Sequence, residues 1–150
     1  MKSLQRKDEI PMKAEKNCVM ICVTPQISCA RLIEAGIEIA REENREAVVV
    51  TVIGNQYRND IAALNYLYDI IEKNGLQMKM YFNNEPAITA AVVAKRIGAG
   101  SVVTGLPEDN NGRFISLFRD LLPDIPVTMI GTDKTRFRLF PALSVEHKTL

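Results

Sequence analysis

Residues 18–43 read CVMICVTPQISCARLIEAGIEIAREE. The first six, 18–23, form an apolar run that Thr24-Pro25 closes, the pattern of a short strand buried on both faces. A helix is expected from about Ser28. Its apolar positions Cys29, Leu32, Ile33, Gly36, Ile37 and Ala40 recur as one continuous helical face, and Arg31, Glu34, Glu38, Arg41 and Glu42 fill the other. A glycine inside a helix costs about 1 kcal/mol relative to Ala. Gly36 on the buried side therefore implies that the helix closely approaches a strand at that point.

The same unit recurs along the chain. A second strand, 47–53, stops at Gly54-Asn55, and Asn59 or Asp60 can cap a second helix with Ile61, Leu64, Tyr68 and Ile71 on one face. Asn74-Gly75 ends that helix, and a third strand follows at 76–82. Pro86 suits a first helical position, and Ala87, Ala91, Ala94 and Ile97 make a stripe of mostly small residues that ends at Gly98 and Gly100. Residues 101–104 are the fourth strand, 105–112 a loop, 114–122 a short helix and 127–130 a fifth strand, whose preceding Pro126 suits a sheet edge. Strict alternation of strand and helix predicts an α/β fold: an open, doubly wound, five-stranded parallel sheet with right-handed crossovers and helices on both faces. Such sheets bind ligands beyond the carboxyl ends of their strands, where the strand order reverses. The loops that matter are then 24–28 and 105–112.

Composition narrows the classes. The chain has 150 residues, 47% hydrophobic and 25% charged, with 19 basic and 18 acidic side chains and a net charge of +1. That is one ordinary globular domain, with no electrostatic case for nucleic acid or an anionic membrane as partner. No apolar stretch approaches the roughly 18 residues of a spanning helix. Residues 1–16 are too charged for a secretory signal, so the expected compartment is the cytoplasm, with the three cysteines as free thiols. Residues 1–16 and 131–150 each carry net +2 and 17–130 carries −3, which reads as a slightly acidic domain between two basic extensions. Arg136 and Arg138 alternate with apolar residues, a pattern that fits an extra edge strand better than nucleic-acid contact.

Few residues offer chemistry. Cys18 and Cys22 would stand about 13 Å apart along a strand, too far for one metal ion or a disulfide. The single histidine, His147, lies near the C-terminus, so neither a metal cluster nor a histidine-dependent relay assembles. No catalytic residue is assigned, and an enzyme is not expected. Gly98-Ala-Gly100 precedes a strand, whereas a dinucleotide fingerprint follows one, so it reads as a helix stop. The 105–112 loop has the wrong spacing for a Walker A loop. It reads either as a solvated turn or as a phosphate-facing loop, in which Gly105 and Gly112 bracket the turn and Arg113 opens a helix whose N–H groups could meet an anion. Glu108 and Asp109 inside the loop would oppose a phosphate unless a divalent cation intervened. They could also be read as an acid–base pair. The candidate ligand contacts are Thr24, Gln26, Ser28, Gly105, Gly112 and Arg113.

Three stretches together resemble the universal stress protein superfamily. Val23-Thr-Pro-Gln-Ile-Ser28-Cys-Ala-Arg31-Leu-Ile33, followed by Gly36 and Ala40, is similar to the opening of such a domain, most of all to the variant in osmosensitive potassium sensor histidine kinases. Glu85-Pro-Ala-Ile88, Ala91, Ala94 and Ser101-Val-Val-Thr-Gly105 resemble its fourth helix–strand unit, and Asp124-Ile-Pro126-Val-Thr-Met-Ile130 its terminal strand. The likeness covers roughly 18–130. It implies an adenine nucleotide alpha hydrolase-like sheet with strand order 3-2-1-4-5, ATP or another adenine nucleotide held between strands one and four, and a regulatory role in stress signalling. The ATP pattern is degenerate. Gln26 and Ile27 stand where the family has Asp and Gly, and of its spaced glycines only Gly105 is kept, with Glu108 and Phe118-Arg119 at the others. A weakly bound nucleotide or other small anionic ligand is the expected consequence. The alternative is a ligand-free scaffold, a homodimer joined through the open edge of strand five.

Overall fold

The computed structural model describes residues 17–55, 60–107 and 112–140. The chain enters through β1 (Cys18–Val23), makes a 3-10 turn (Ile27–Cys29) and continues into α1 (Ala30–Glu43). There follow β2 (Glu46–Ile53), α2 (Ile61–Lys73), β3 (Gln77–Phe82), α3 (Pro86–Ile97), β4 (Ala99–Gly105), α4 (Arg113–Leu121), β5 (Val127–Ile130) and β6 (Arg136–Leu139). The sheet order is β3-β2-β1-β4-β5-β6. The first five strands are parallel, in the expected order, with Val19 level with Ala47 on one side and Ser101 on the other.

Side chains alternate across a strand, and this divides the core into two layers. Val19, Ile21 and Val23 meet α1 and α2 on one face, while Cys18, Met20 and Cys22 meet α3 and α4 on the other. Burial on both faces is why β1 reads as an unbroken apolar run. Gly36 faces Ile21, and a Cβ there would overlap that side chain's Cγ1 and Cδ1. Helix α1 ends at Asn44 (φ 58°) and α3 at Gly98 (φ 72°), both in the left-handed conformation that stops helices.

Three expectations are corrected. First, the sheet has six strands and not five: the alternating stretch at Arg136 and Arg138, expected to suit an extra edge strand, is β6, antiparallel to β5 with Thr128 opposite Arg138. Residues 131–135 form a tight reversal in which the Gly131 N–H donates to the Thr135 carbonyl at 2.9 Å, and so short a connection can only join antiparallel strands. Strand five is therefore not an edge, and β6 already occupies the backbone groups expected to join a homodimer. Charge holds β6 in place. Lys134 pairs with Glu34, Arg136 with Glu38 and Glu42, and Arg138 with Glu43, all four acids lying on α1.

Second, α2 buries Ala63, Leu67 and Ile71, while Ile61 is 63% and Tyr68 48% exposed. The helix is apolar on more than one side, and the chosen stripe sets the small Ala63 inward and leaves the Tyr68 hydroxyl in water, where it needs no buried partner. Third, α1 buries Ile39 and leaves Ile37 only partly covered. The 1–16 extension, Glu108, Asp109 and His147 lie outside the described residues. Among those described, no helix is long and apolar enough to cross a membrane.

Candidate functional site

The position of the site follows from connectivity. β1 and β4 are parallel neighbours. The chain leaves β1 toward the α1 layer and leaves β4 toward the α4 layer. Two connections that diverge from adjacent strand ends leave an opening between them, the switch point of a doubly wound sheet. There the structure has a cleft of about 560 Å³. Its apolar wall comes from Cys22, Val50, Val52, Ala90, Phe114 and Ile115, and polar groups come from Thr24, Gln26, Ser28, Asn84 and Thr104.

The turn after β1 is shaped by its own backbone. The Gln26 N–H donates to the Thr24 carbonyl at 2.7 Å, and the Cys29 N–H donates to the Gln26 carbonyl at 2.9 Å. Thr24 Oγ1 lies 3.6 Å from Cys29 Sγ. Arg31, one turn into the helical segment, fastens this turn to the end of β5. Its Nη1 donates to the Ser28 carbonyl at 2.7 Å, its Nε to Gly131 at 2.9 Å and its Nη2 to Ile130 at 3.2 Å. The opposite wall is tied by Asn84, whose Oδ1 accepts the Asn55 N–H at 2.9 Å, and by Asn83, whose Oδ1 accepts the Glu85 N–H at 2.8 Å.

Of the residues named from sequence, Thr24, Gln26, Ser28 and Gly105 line this cleft. A Cβ on Gly105 would point at Arg31 Nη2, 3.4 Å away, and at Leu32, so this glycine's bare side faces α1. Gly112 lies apart, on a shallower depression of about 350 Å³ with Pro107, Arg119 and Asp120. Its φ of −85° is open to any residue. Arg113 is exposed at the first position of α4 and is not among the residues lining either hollow.

Sequence reasoning missed Arg31 and Asn84. Arg31 falls on the polar side of the helix, and nothing local says that the end of β5 passes there. Asn84 stands two residues before Pro86 at a helix start, and nothing in the local sequence marks it as a cleft residue.

Electrostatically the cleft is quiet. Burial pushes the Cys22 thiol up to about 12, so it is neither a thiolate nucleophile nor a ready metal ligand near neutral pH. Burial likewise raises Cys18 to about 11, with Glu46 adding to the effect. Among the described residues no group of three His, Cys, Asp or Glu stands close enough to hold a metal ion. What the arrangement offers is an apolar slot with hydroxyl and amide groups around it, suited to holding a small flat molecule by burial and a few directed hydrogen bonds.

No family model matches the sequence, and no curated protein matches it. Solved structures do. A protein of the universal stress protein family from Burkholderia pseudomallei superposes with a TM-score of 0.53 at 17% identity, over 80% of this chain and 98% of that one. A universal stress protein in complex with cAMP superposes with a TM-score of 0.61 at 16% identity, over 79% of this chain and 98% of that one. At these identities the likeness is one of architecture, and the architecture of this chain is the universal stress protein fold.

Proposed function

We propose that this chain is a universal-stress-protein-like regulatory module that weakly binds a nucleotide or another small anionic ligand and has no catalytic residues of its own. The observation that carries the reading is the cleft at the β1–β4 switch point, with Thr24, Gln26, Ser28 and Gly105 on its lining. The cAMP complex of a structure with the same fold supports a nucleotide as the class of ligand. The degenerate ATP pattern at Gln26, Ile27 and Glu108 supports weak rather than tight binding. The likeness of residues 23–33 to the sensor-kinase variant supports a signalling role, exerted through partner contacts that change when the cleft fills.

The test is a titration of the labelled protein with ATP, AMP and cAMP, followed by amide chemical shifts and calorimetry. The expected result is saturable shifts centred on residues 24–28, 84 and 104–106, with dissociation constants from tens of micromolar to millimolar. No heat and no shifts at those amides with millimolar ligand would remove the binding half of the reading.

A further inference from the structure

Arg31 joins two parts of the molecule that lie far apart in sequence. One is the turn after β1, whose Thr24, Ser28 and Cys29 line the cleft. The other is the reversal 131–135, which carries β6. A single guanidinium spans both: Nη1 holds the Ser28 carbonyl, while Nε and Nη2 hold the carbonyls of Gly131 and Ile130. The two distant acceptors already belong to the sheet edge. The Ile130 carbonyl also accepts the N–H of Leu106, itself on the cleft lining. The Gly131 carbonyl also accepts the Lys134 N–H, and its own N–H donates to Thr135, which closes the reversal. A shift of the turn after β1 therefore moves the entrance to β6 or breaks a bond to it.

β6 is built to respond. It is four residues long and last in the sheet, with Arg136, Phe137 and Arg138 exposed and Leu139 half-buried. Lys134 in the reversal holds a φ of 71°, a left-handed conformation that disfavours a residue with a Cβ. The ion pairs of Lys134 to Glu34 and of Arg136 to Glu38 and Glu42 are exposed, and such pairs stabilise little. Segments with few buried apolar contacts open locally well before the whole chain unfolds. β6 thus has two conditions, closed on β5 or open with the edge of β5 uncovered. A ligand shifts such a balance only if it binds the two conditions differently. Here it does, because the turn that lines the cleft is fastened by Arg31 only while Ile130 and Gly131 are in their closed positions.

Resting on the nucleotide reading above, we infer that Arg31 is a positioning residue that couples the cleft to the sheet edge, so that a filled cleft clamps β6 onto β5 and an empty one lets it open. Occupancy of the cleft is then read on the far side of β4, at the edge of β5.

The experiment is amide hydrogen exchange of the full chain, free and saturated with AMP, with the amide shifts of residues 24–28 and 104–106 reporting that the cleft is filled. AMP should slow exchange at Gly131 and the hydrogen-bonded amides of β6 by at least about fivefold, while amides 77–80 of β3, at the opposite edge, change by less than about twofold. A Glu38→Gln/Glu42→Gln variant weakens the ion-pair hold and leaves Arg31 in place; its β6 should exchange faster in both states and still slow with AMP. In Arg31→Met, compared at saturation, the β6 response should fall below about twofold. Should Arg31→Met not fold, the parent and the glutamine variant still decide. A filled cleft with no slowing at β6, an undiminished response in Arg31→Met, or a response lost in the glutamine variant would overturn the inference and leave the nucleotide reading intact. No AMP-dependent shifts at the cleft amides would overturn the nucleotide reading itself, and the inference with it.

Discussion

Replacing Gly36 with Ala isolates the contact on which the first strand–helix unit depends. The new methyl would overlap the Cγ1 and Cδ1 of Ile21, a side chain that is fully buried. Overpacking a filled core costs about 1–3 kcal/mol, and Ala in place of Gly within a helix returns about 1 kcal/mol. Overlap with two atoms of a fully buried side chain belongs to the upper part of that range, about 2–3 kcal/mol, so the net expectation is a loss of about 1–2 kcal/mol, which at this chain length lowers the melting temperature by roughly 2–8 °C. The cause is tested by a second change. In Ile21→Ala the overlapping atoms are gone and only Cβ remains, 3.5 Å from the new methyl, an ordinary contact. Ile21→Ala alone should cost about 2–5 kcal/mol through its cavity, and the added methyl of Gly36→Ala should fill part of that space. Urea denaturation of the parent, both single variants and the double variant gives the coupling. The double variant should be more stable than the sum of the singles predicts by about 1–2 kcal/mol. Additivity to within about 0.5 kcal/mol, or a Gly36→Ala protein as stable as the parent, would refute the close-approach argument.

Arg31→Met keeps the stem of the side chain and removes its three bonds to carbonyls. Urea unfolding should show a loss of about 1–3 kcal/mol, and an unchanged midpoint would contradict the fastening role. The raised thiols of Cys22 (about 12) and Cys18 (about 11), against an ordinary value of 9.0, mean that the folded state holds protons the unfolded state releases. Their neutrality costs nothing below pH 9, and stability should fall as pH rises from 9 toward 12 by up to about 1.4 kcal/mol per pH unit for each thiol; a Cys18→Val/Cys22→Val variant should flatten that slope in denaturant titrations between pH 8 and 10.5. Strand β6 should loosen before the rest of the sheet in 1 M NaCl, because exposed ion pairs to α1 hold it. Its amide protection factors should drop while those of β1 stay constant. The Glu42 carboxyl is held below its usual range, first by the hydrogen bond from Arg136. Its contribution is therefore present above the ordinary carboxylate pKa and is lost as pH falls through the lowered value, so β6 protection should also decline in acid; constant protection at pH 3 would count against the pairing.

The sequence by itself determined the alternation of strand and helix, the parallel sheet and the position of the cleft. These rest on local signals that no distant contact needs to supply. A strand buried on both faces must be apolar throughout, an amphipathic helix must repeat near 3.6 residues, and a doubly wound sheet opens where connections diverge. Thr24, Gln26, Ser28 and Gly105 were legible as cleft-lining residues because they directly follow the carboxyl ends of β1 and β4. Tertiary structure alone decided which stripe of α2 faces inward, since several stripes are apolar enough and only packing against the sheet chooses Ala63 and Leu67 over Ile61 and Tyr68. It also decided where the strand suggested by the alternation at Arg136 and Arg138 goes, antiparallel along the edge of β5. The acids of α1 and the bases of residues 134–138 are separated by about a hundred positions, and their complementarity has no meaning until the sheet places them side by side. The role of Arg31 was hidden for the same reason. Its three acceptors are backbone carbonyls, which every residue carries and which no sequence pattern distinguishes, so only the folded chain shows which of them an arginine can reach.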